Sequence, residues 1–167
     1  HVLIAGSNAG AAAAQAAQIA GVSKVIHTED ASLAHGVAES VASAVLAIVN
    51  TAKNYSHILF PATASGKNAA PRVAAKLDVA QISDITKVVS ADTFERPIYA
   101  SNAIATVQSV DAIKVITVRT TGFDPTGTNA AAVAIESVAF SPVTNTATFV
   151  SSEIAKNDRP ELTAAKI

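Results

Sequence analysis

Three short apolar runs limit what this chain can become: VLIA at residues 2–5, KVIHT at 24–28 and HILF at 57–60. Each has the length of a strand, and β-branched or bulky residues suit a buried, pleated segment. Helical patterns fill the intervals. Residues 9–20 are mostly Ala, with Ser7 or Asn8 placed to cap a helix start and Gly21 to stop it in a left-handed turn. After the polar turn EDAS at 29–32, whose acids suit a positive helix end, Leu33, Val37, Val41, Val45 and Ile48 recur at three- and four-residue steps. Strands alternating with amphipathic helices predict a three-layer, doubly wound and mostly parallel α/β sheet.

The third unit continues into SGKNAAPRVAAKLDVAQISDI at 65–85. Ala74, Ala75 and Leu77 favour a helix, Arg72 and Lys76 share its solvated side, and Pro71 fits its first turn. The residues before Pro71 then form a loop at the carboxyl end of a strand, where α/β sheets gather ligands and contacts. Gly66-Lys67 resembles a phosphate loop only superficially. Such a loop needs Gly five residues before the pair and Ser or Thr after it, and Pro61 and Asn68 stand there. Gly6 and Gly10 likewise leave the dinucleotide fingerprint incomplete and read as a tight strand-to-helix turn.

The pattern changes after Leu77. Residues 79–89 supply a further strand with Ser83-Asp84 in its middle or at a bend, and 93–99 and 103–110 alternate around a hairpin turn at Ala100-Ser101-Asn102. KVITVR at 114–119 is a strong strand, 123–132 a loop, and 133–140 one more strand. The second half therefore reads as antiparallel-rich, added to a parallel first half.

At 167 residues and 50% hydrophobic content the chain is about one domain's worth. A net charge of −1 gives no basic field for nucleic acid or anionic lipid. The absence of Cys excludes disulfides and thiolate metal sites. No eighteen-residue apolar run or signal-peptide pattern occurs, so the default is a soluble intracellular protein. His1 in place of Met and the uncapped end at 164–167 predict more chain on both sides.

Chemistry-bearing constellations are missing. His1, His27, His35 and His57 lack metal-ligand spacing, and no G-x-S-x-G elbow or H-E-x-x-H motif occurs. The arginines Arg72, Arg96, Arg119 and Arg159 carry more, because guanidinium groups pair bidentately with carboxylates at interfaces. Arg72 or Arg96 is expected to pair with Asp84 or Asp158. The alternative for each arginine is a solvated surface position.

Three stretches carry a family resemblance: GKNAAPRVAAKLDVAQISDI at 66–85, DTFERPIYA at 92–100 and NDRPELT at 157–163. Together they resemble the amino-terminal domain of the electron transfer flavoprotein alpha subunit, and RTTGFD at 119–124 is similar to that family's arginine-containing turn. Ser101 stands where the family typically has Gly, which puts the geometry of that turn in question. The resemblance implies an adenine-nucleotide-hydrolase-like domain over residues 1–155, lacking its first strand and helix. Residues 156–167 would be a connector to an FAD-binding domain that is absent here.

It further implies a beta-subunit partner, acyl-CoA dehydrogenases as electron donors and a membrane quinone oxidoreductase as acceptor. The chain would be an electron-carrier scaffold in fatty acid beta-oxidation rather than a stand-alone enzyme. FAD would belong to the intact heterodimer, with no FAD, metal or catalytic residue in this portion. Bacterial cytoplasm and mitochondrial matrix both fit. Lys67, Asn68, Arg72, Ser83, Asp84, Arg96, Asn102, Arg119, Asp158 and Arg159 are the interface or structural candidates. The competing reading is an adenine-nucleotide-binding α/β module, since the family's beta subunit holds AMP.

Overall fold

The computed structural model describes residues 1–129, 131–142 and 147–153. In chain order the strands are β1 (Val2–Gly6), β2 (Val25–Glu29), β3 (His57–Pro61), β4 (Gln81–Ile85), β5 (Lys87–Val88), β6 (Thr93–Ile98), β7 (Ala103–Gln108), β8 (Lys114–Val118) and β9 (Ile135–Ser137). The helices are α1 (Gly10–Ala16), α2 (Ala38–Ala52) and α3 (Ala64–Leu77). The fold is α/β, with two parallel sheets ordered β1-β2-β9 and β3-β8-β4 and an antiparallel sheet β5-β6-β7.

Helices pack on opposite faces of the parallel strands. Ala13, Ala16 and Ala17 of the α1 region lie on Val25, with Val2 and Ile4 beside them. On the other face α2 and α3 bury Ala42, Val45, Val49, Ala69, Ala70, Val73 and Ala74 against Ile58, Phe60 and Val115, with Leu3 packed alongside. Alanine at so many contact positions lets these helices lie close to the strands and to each other. Phe94 of the hairpin joins Ile82, Ile85 and Ile116 in a third cluster that fixes the antiparallel sheet to the parallel one.

Several sequence expectations need correction. The β8 strand is the centre of a parallel sheet, paired with β3 on one side and β4 on the other, rather than part of an antiparallel half. Its alternation resembles a hairpin strand because sequence adjacency to β7 conceals that its partners lie far back in the chain. The α1 helix is shorter than residues 9–20, and neither Ser7 nor Asn8 caps it: Ala9 holds the cap position without a side-chain bond. Glu29 of the next strand accepts the Ala9 N–H at 2.7 Å instead. Gly21 does take the left-handed conformation, at φ +83°.

The largest correction concerns Pro71. The α3 helix begins at Ala64, so Pro71 sits inside it and residues 65–70 are helical rather than a loop. Thr63 is the cap, its Oγ1 accepting the Gly66 N–H at 3.2 Å. A Cβ on Gly66 would lie 1.9 Å from the Pro61 carbonyl oxygen, so only glycine lets the helix start this close to the end of β3. The helix ends at Asp78, in the left-handed region at φ +55°.

The hairpin turn is also costly. Tyr99, Ala100 and Ser101 all have positive φ, at 49°, 53° and 69°. Ser101 therefore occupies a conformation that glycine adopts freely.

Candidate functional site

Residues 82–85 break the regular register of β4 against β8, and Asp84 within that irregularity has φ +60°. The distortion turns the Asp84 N–H onto Thr117 Oγ1 at 2.8 Å. Thr117 is fully buried, so this bond satisfies a hydroxyl in the middle of the sheet. Arg119 follows directly after β8, its own N–H bonded to the Ile85 carbonyl at 3.0 Å. Strand register thus delivers both side chains to the same end of neighbouring strands.

There the Arg119 guanidinium grips the Asp84 carboxylate. Its Nε lies 3.2 Å from each carboxylate oxygen, and Nη2 makes a further close contact with Oδ2. The Arg119 hydrogen bonds hold Asp84 below the usual carboxylate range, with smaller electrostatic help from Lys67 and Arg96. Asp84 raises the Arg119 pKa in return. Arg96 donates its Nε–H to the Ser83 carbonyl at 2.7 Å, which ties the hairpin to the same bend. Lys67, Ser83, Asp84, Arg96 and Arg119 therefore share one electrostatic neighbourhood at the carboxyl end of the β3-β8-β4 sheet.

Arg72 and Asn68 belong to a different cluster. Arg72 donates to Glu39 Oε1 from Nε at 3.1 Å and from Nη2 at 2.9 Å, and to the Asn68 carbonyl from Nη1 at 2.7 Å. This locks α3 to α2. Hydrogen bonding from its own backbone N–H, and then from Arg72, lowers the Glu39 pKa. Asn102 stands apart at the hairpin tip, its N–H bonded to the Tyr99 carbonyl at 3.1 Å. Asp158 and Arg159 lie outside the described residues.

The expected pairing is thus redirected. Asp84 pairs with Arg119, Arg72 pairs with Glu39, and Arg96 bonds to a backbone carbonyl. Glu39, Thr63 and Thr117 were missed. A capping Thr before a helical run was legible, but the start of that helix was placed too late. Nothing local in the sequence links Asp84 to Thr117 or Arg119, because parallel register joins them.

Two clefts stand out among the described residues. One, of about 510 Å³, is lined chiefly by aliphatic side chains of β1, β3 and α2. The other, about 620 Å³, lies beside Asn50, Lys53, Tyr55 and Ile113. Neither gathers the convergent donors that hold a flavin ring and its diphosphate. At the start of α3, Thr63 already accepts the N–H groups of Gly66, at Oγ1, and Lys67, at its carbonyl. Neither of these clefts fits FAD. No three His, Cys, Asp or Glu side chains among the described residues converge as a metal site.

A family model described as the electron transfer flavoprotein domain matches residues 1–143. The chain belongs to the electron transfer flavoprotein family. An electron transfer flavoprotein subunit alpha from Pseudomonas aeruginosa is 57% identical over 167 residues, covering 100% of this chain and 53% of that protein. One from Paracoccus denitrificans is 50% identical over 165 residues, covering 99% and 52%. A mitochondrial subunit alpha from Dictyostelium discoideum is 43% identical over 178 residues, covering 99% and 50%. The chain therefore spans about half the length of the curated relatives it matches. The electron transfer flavoprotein family is one of electron carriers containing flavin, with bacterial and mitochondrial members among these alpha subunits. No described helix is long and apolar enough to cross a membrane.

Proposed function

We propose that this chain is the scaffold portion of an electron transfer flavoprotein alpha subunit. The observation that carries this reading is the match of the whole chain to about half of each alpha subunit. In the intact protein it would pair with a beta subunit, take electrons from acyl-CoA and related dehydrogenases and pass them to a membrane quinone oxidoreductase. FAD supplies that electron chemistry when bound, and its site is assigned to the remainder of the protein.

Within this reading residues 1–155 form the domain and 156–167 the connector. The cluster of Lys67, Ser83, Asp84, Arg96 and Arg119 presents fixed charge at the carboxyl end of one sheet and would face the beta subunit and the flavin domain. Its two strand-end residues are held by backbone as well as by each other, which suits a contact surface that must keep its shape.

Calorimetric titration of FAD into the purified 167-residue chain tests the assignment. No saturable heat is expected. Tight, saturable binding would place a flavin site within residues 1–167 and overturn it.

A further inference from the structure

The antiparallel sheet ends in a strand whose outer side is unprotected. Among the described residues β7 pairs with β6 alone. The register fixes which backbone groups stand on its open side. Ser109 donates its N–H to the Asp92 carbonyl, and in the same ladder Val107 lies opposite Phe94 and Ala105 opposite Arg96. Antiparallel partners alternate between bonded and unbonded pairs, so the odd-numbered residues of β7 direct their N–H and C=O groups to β6. The far side of β6 agrees. Thr86 and Val89 donate to the Glu95 and Thr93 carbonyls, which leaves the even-numbered residues of β6 for β7. The N–H and C=O groups of Ile104, Thr106 and Gln108 therefore point out from the sheet, and all three residues are exposed.

Sheet edges are ordinarily blunted by charge, proline, bulges or short length. The opposite edge follows that rule, since β5 is only Lys87 and Val88. The β7 edge does not. The sequence AIATVQSV at 103–110 holds no charged residue, proline or glycine. Its ladder with β6 runs unbroken from Ala103 to Gln108. Ile104 and Val110 stand 58% and 95% exposed along it.

We propose that β7 is a self-association edge, pairing antiparallel with β7 of a second copy about a two-fold axis at Thr106. The edge is self-complementary in that register. Thr106 meets its own counterpart, and Ile104 meets Gln108 in both directions, so the outward N–H and C=O groups of all three residues find partners. Directly opposed threonines are a favourable cross-strand pair. Val110 comes opposite Asn102, beside the other copy's hairpin turn. An acidic or basic partner strand would find no complementary charge on this edge, whereas a second copy meets no like charge across the axis. The short β5 edge with Lys87 offers no second site, so association closes at a dimer. The inference rests on sheet geometry and is independent of the electron-transfer reading.

Sedimentation velocity on the purified chain, from low to high micromolar concentration, tests this. A reversible, concentration-dependent dimer is expected; a monomer throughout, or an open polymer, would overturn the proposal. Thr106→Pro removes an outward N–H that the monomer does not use, and is expected to weaken the dimer about 10-fold or more with the thermal midpoint little changed. Thr106→Lys sets like charges face to face across the axis and lies beside Glu95 within its own sheet, so it decides the matter where the proline variant fails to fold. A dimer of undiminished affinity in a folded variant overturns the proposal. The chain has no cysteine, which permits a third arm. A short bismaleimide is expected to join Thr106→Cys into a covalent dimer and to leave Lys87→Cys unjoined, and the reverse result would place the interface elsewhere.

Discussion

Arg119 and Asp84 stand 35 residues apart in sequence and meet at the ends of two adjacent parallel strands, the guanidinium Nε at 3.2 Å from both carboxylate oxygens. The pair is only partly exposed, at 38% and 20% for the two side chains. Because Arg119 is more than a third exposed, solvent screens the pair, and its contribution is on the small scale of exposed ion pairs. A double-mutant cycle of Asp84→Asn and Arg119→Gln in urea denaturation is expected to give coupling of that order. Coupling between Asp84 and Arg96 is expected to be smaller, since Arg96 bonds to the Ser83 carbonyl.

The pair also sets a pH dependence. The folded pKa of Asp84 is lowered, so its stabilisation is present above the unfolded pKa of about 3.9 and is lost as pH falls through the folded value. The stability gap between the wild type and Asp84→Asn should be full at pH 7 and shrink below about pH 4. Urea midpoints measured across that range check the sign; a gap that grows with acid would refute it.

Gly66 carries the sharpest steric prediction. A methyl group there meets the Pro61 carbonyl oxygen at 1.9 Å, a backbone atom that has no rotamer to escape into. Gly66→Ala is expected to cost more than about 3 kcal/mol and to reduce soluble yield. A thermal midpoint equal to that of the wild type would contradict this account of how α3 starts.

Pro71 predicts a change in the other direction. It lacks the N–H that would bond to the Lys67 carbonyl in the second turn of α3. Pro71→Ala is expected to stabilise the chain by about 1–2 kcal/mol, the restored helix bond outweighing the looser unfolded state. Guanidinium denaturation of the purified variant reads this directly.

Ser101 offers a milder gain. Its φ of +69° is open to glycine at little cost, so Ser101→Gly should raise stability by about 1 kcal/mol. Ser101→Val, which is β-branched, should lower it.

The first half of the fold was legible because its signals are local. Three apolar runs and the step of Val41, Val45 and Ile48 define strands and a helix without reference to distant chain. The hairpin was legible for the same reason, since Thr93 to Gln108 pair across a short turn. The place of β8 was not. Its partners lie at residues 57–61 and 81–85, and apolar alternation is the same whichever sheet receives it. The candidate cluster followed suit: Arg119 and Asp84 were each visible as charged groups, while their union depends on that parallel register. Pro71 misled because proline usually marks a helix start, and packing of Ala69, Ala70, Val73 and Ala74 outweighed that preference.

The alanine seam between α2, α3 and the sheet gives the core a lopsided tolerance. Alanine has no rotamers to freeze, so ordering this seam costs little side-chain entropy. It also has almost nothing left to lose. At Ala70 and Ala74, 0% and 3% exposed, every replacement but glycine adds volume. Damage here comes from wedging the helices apart rather than from leaving holes, and sequence drift at these positions is confined to the smallest residues.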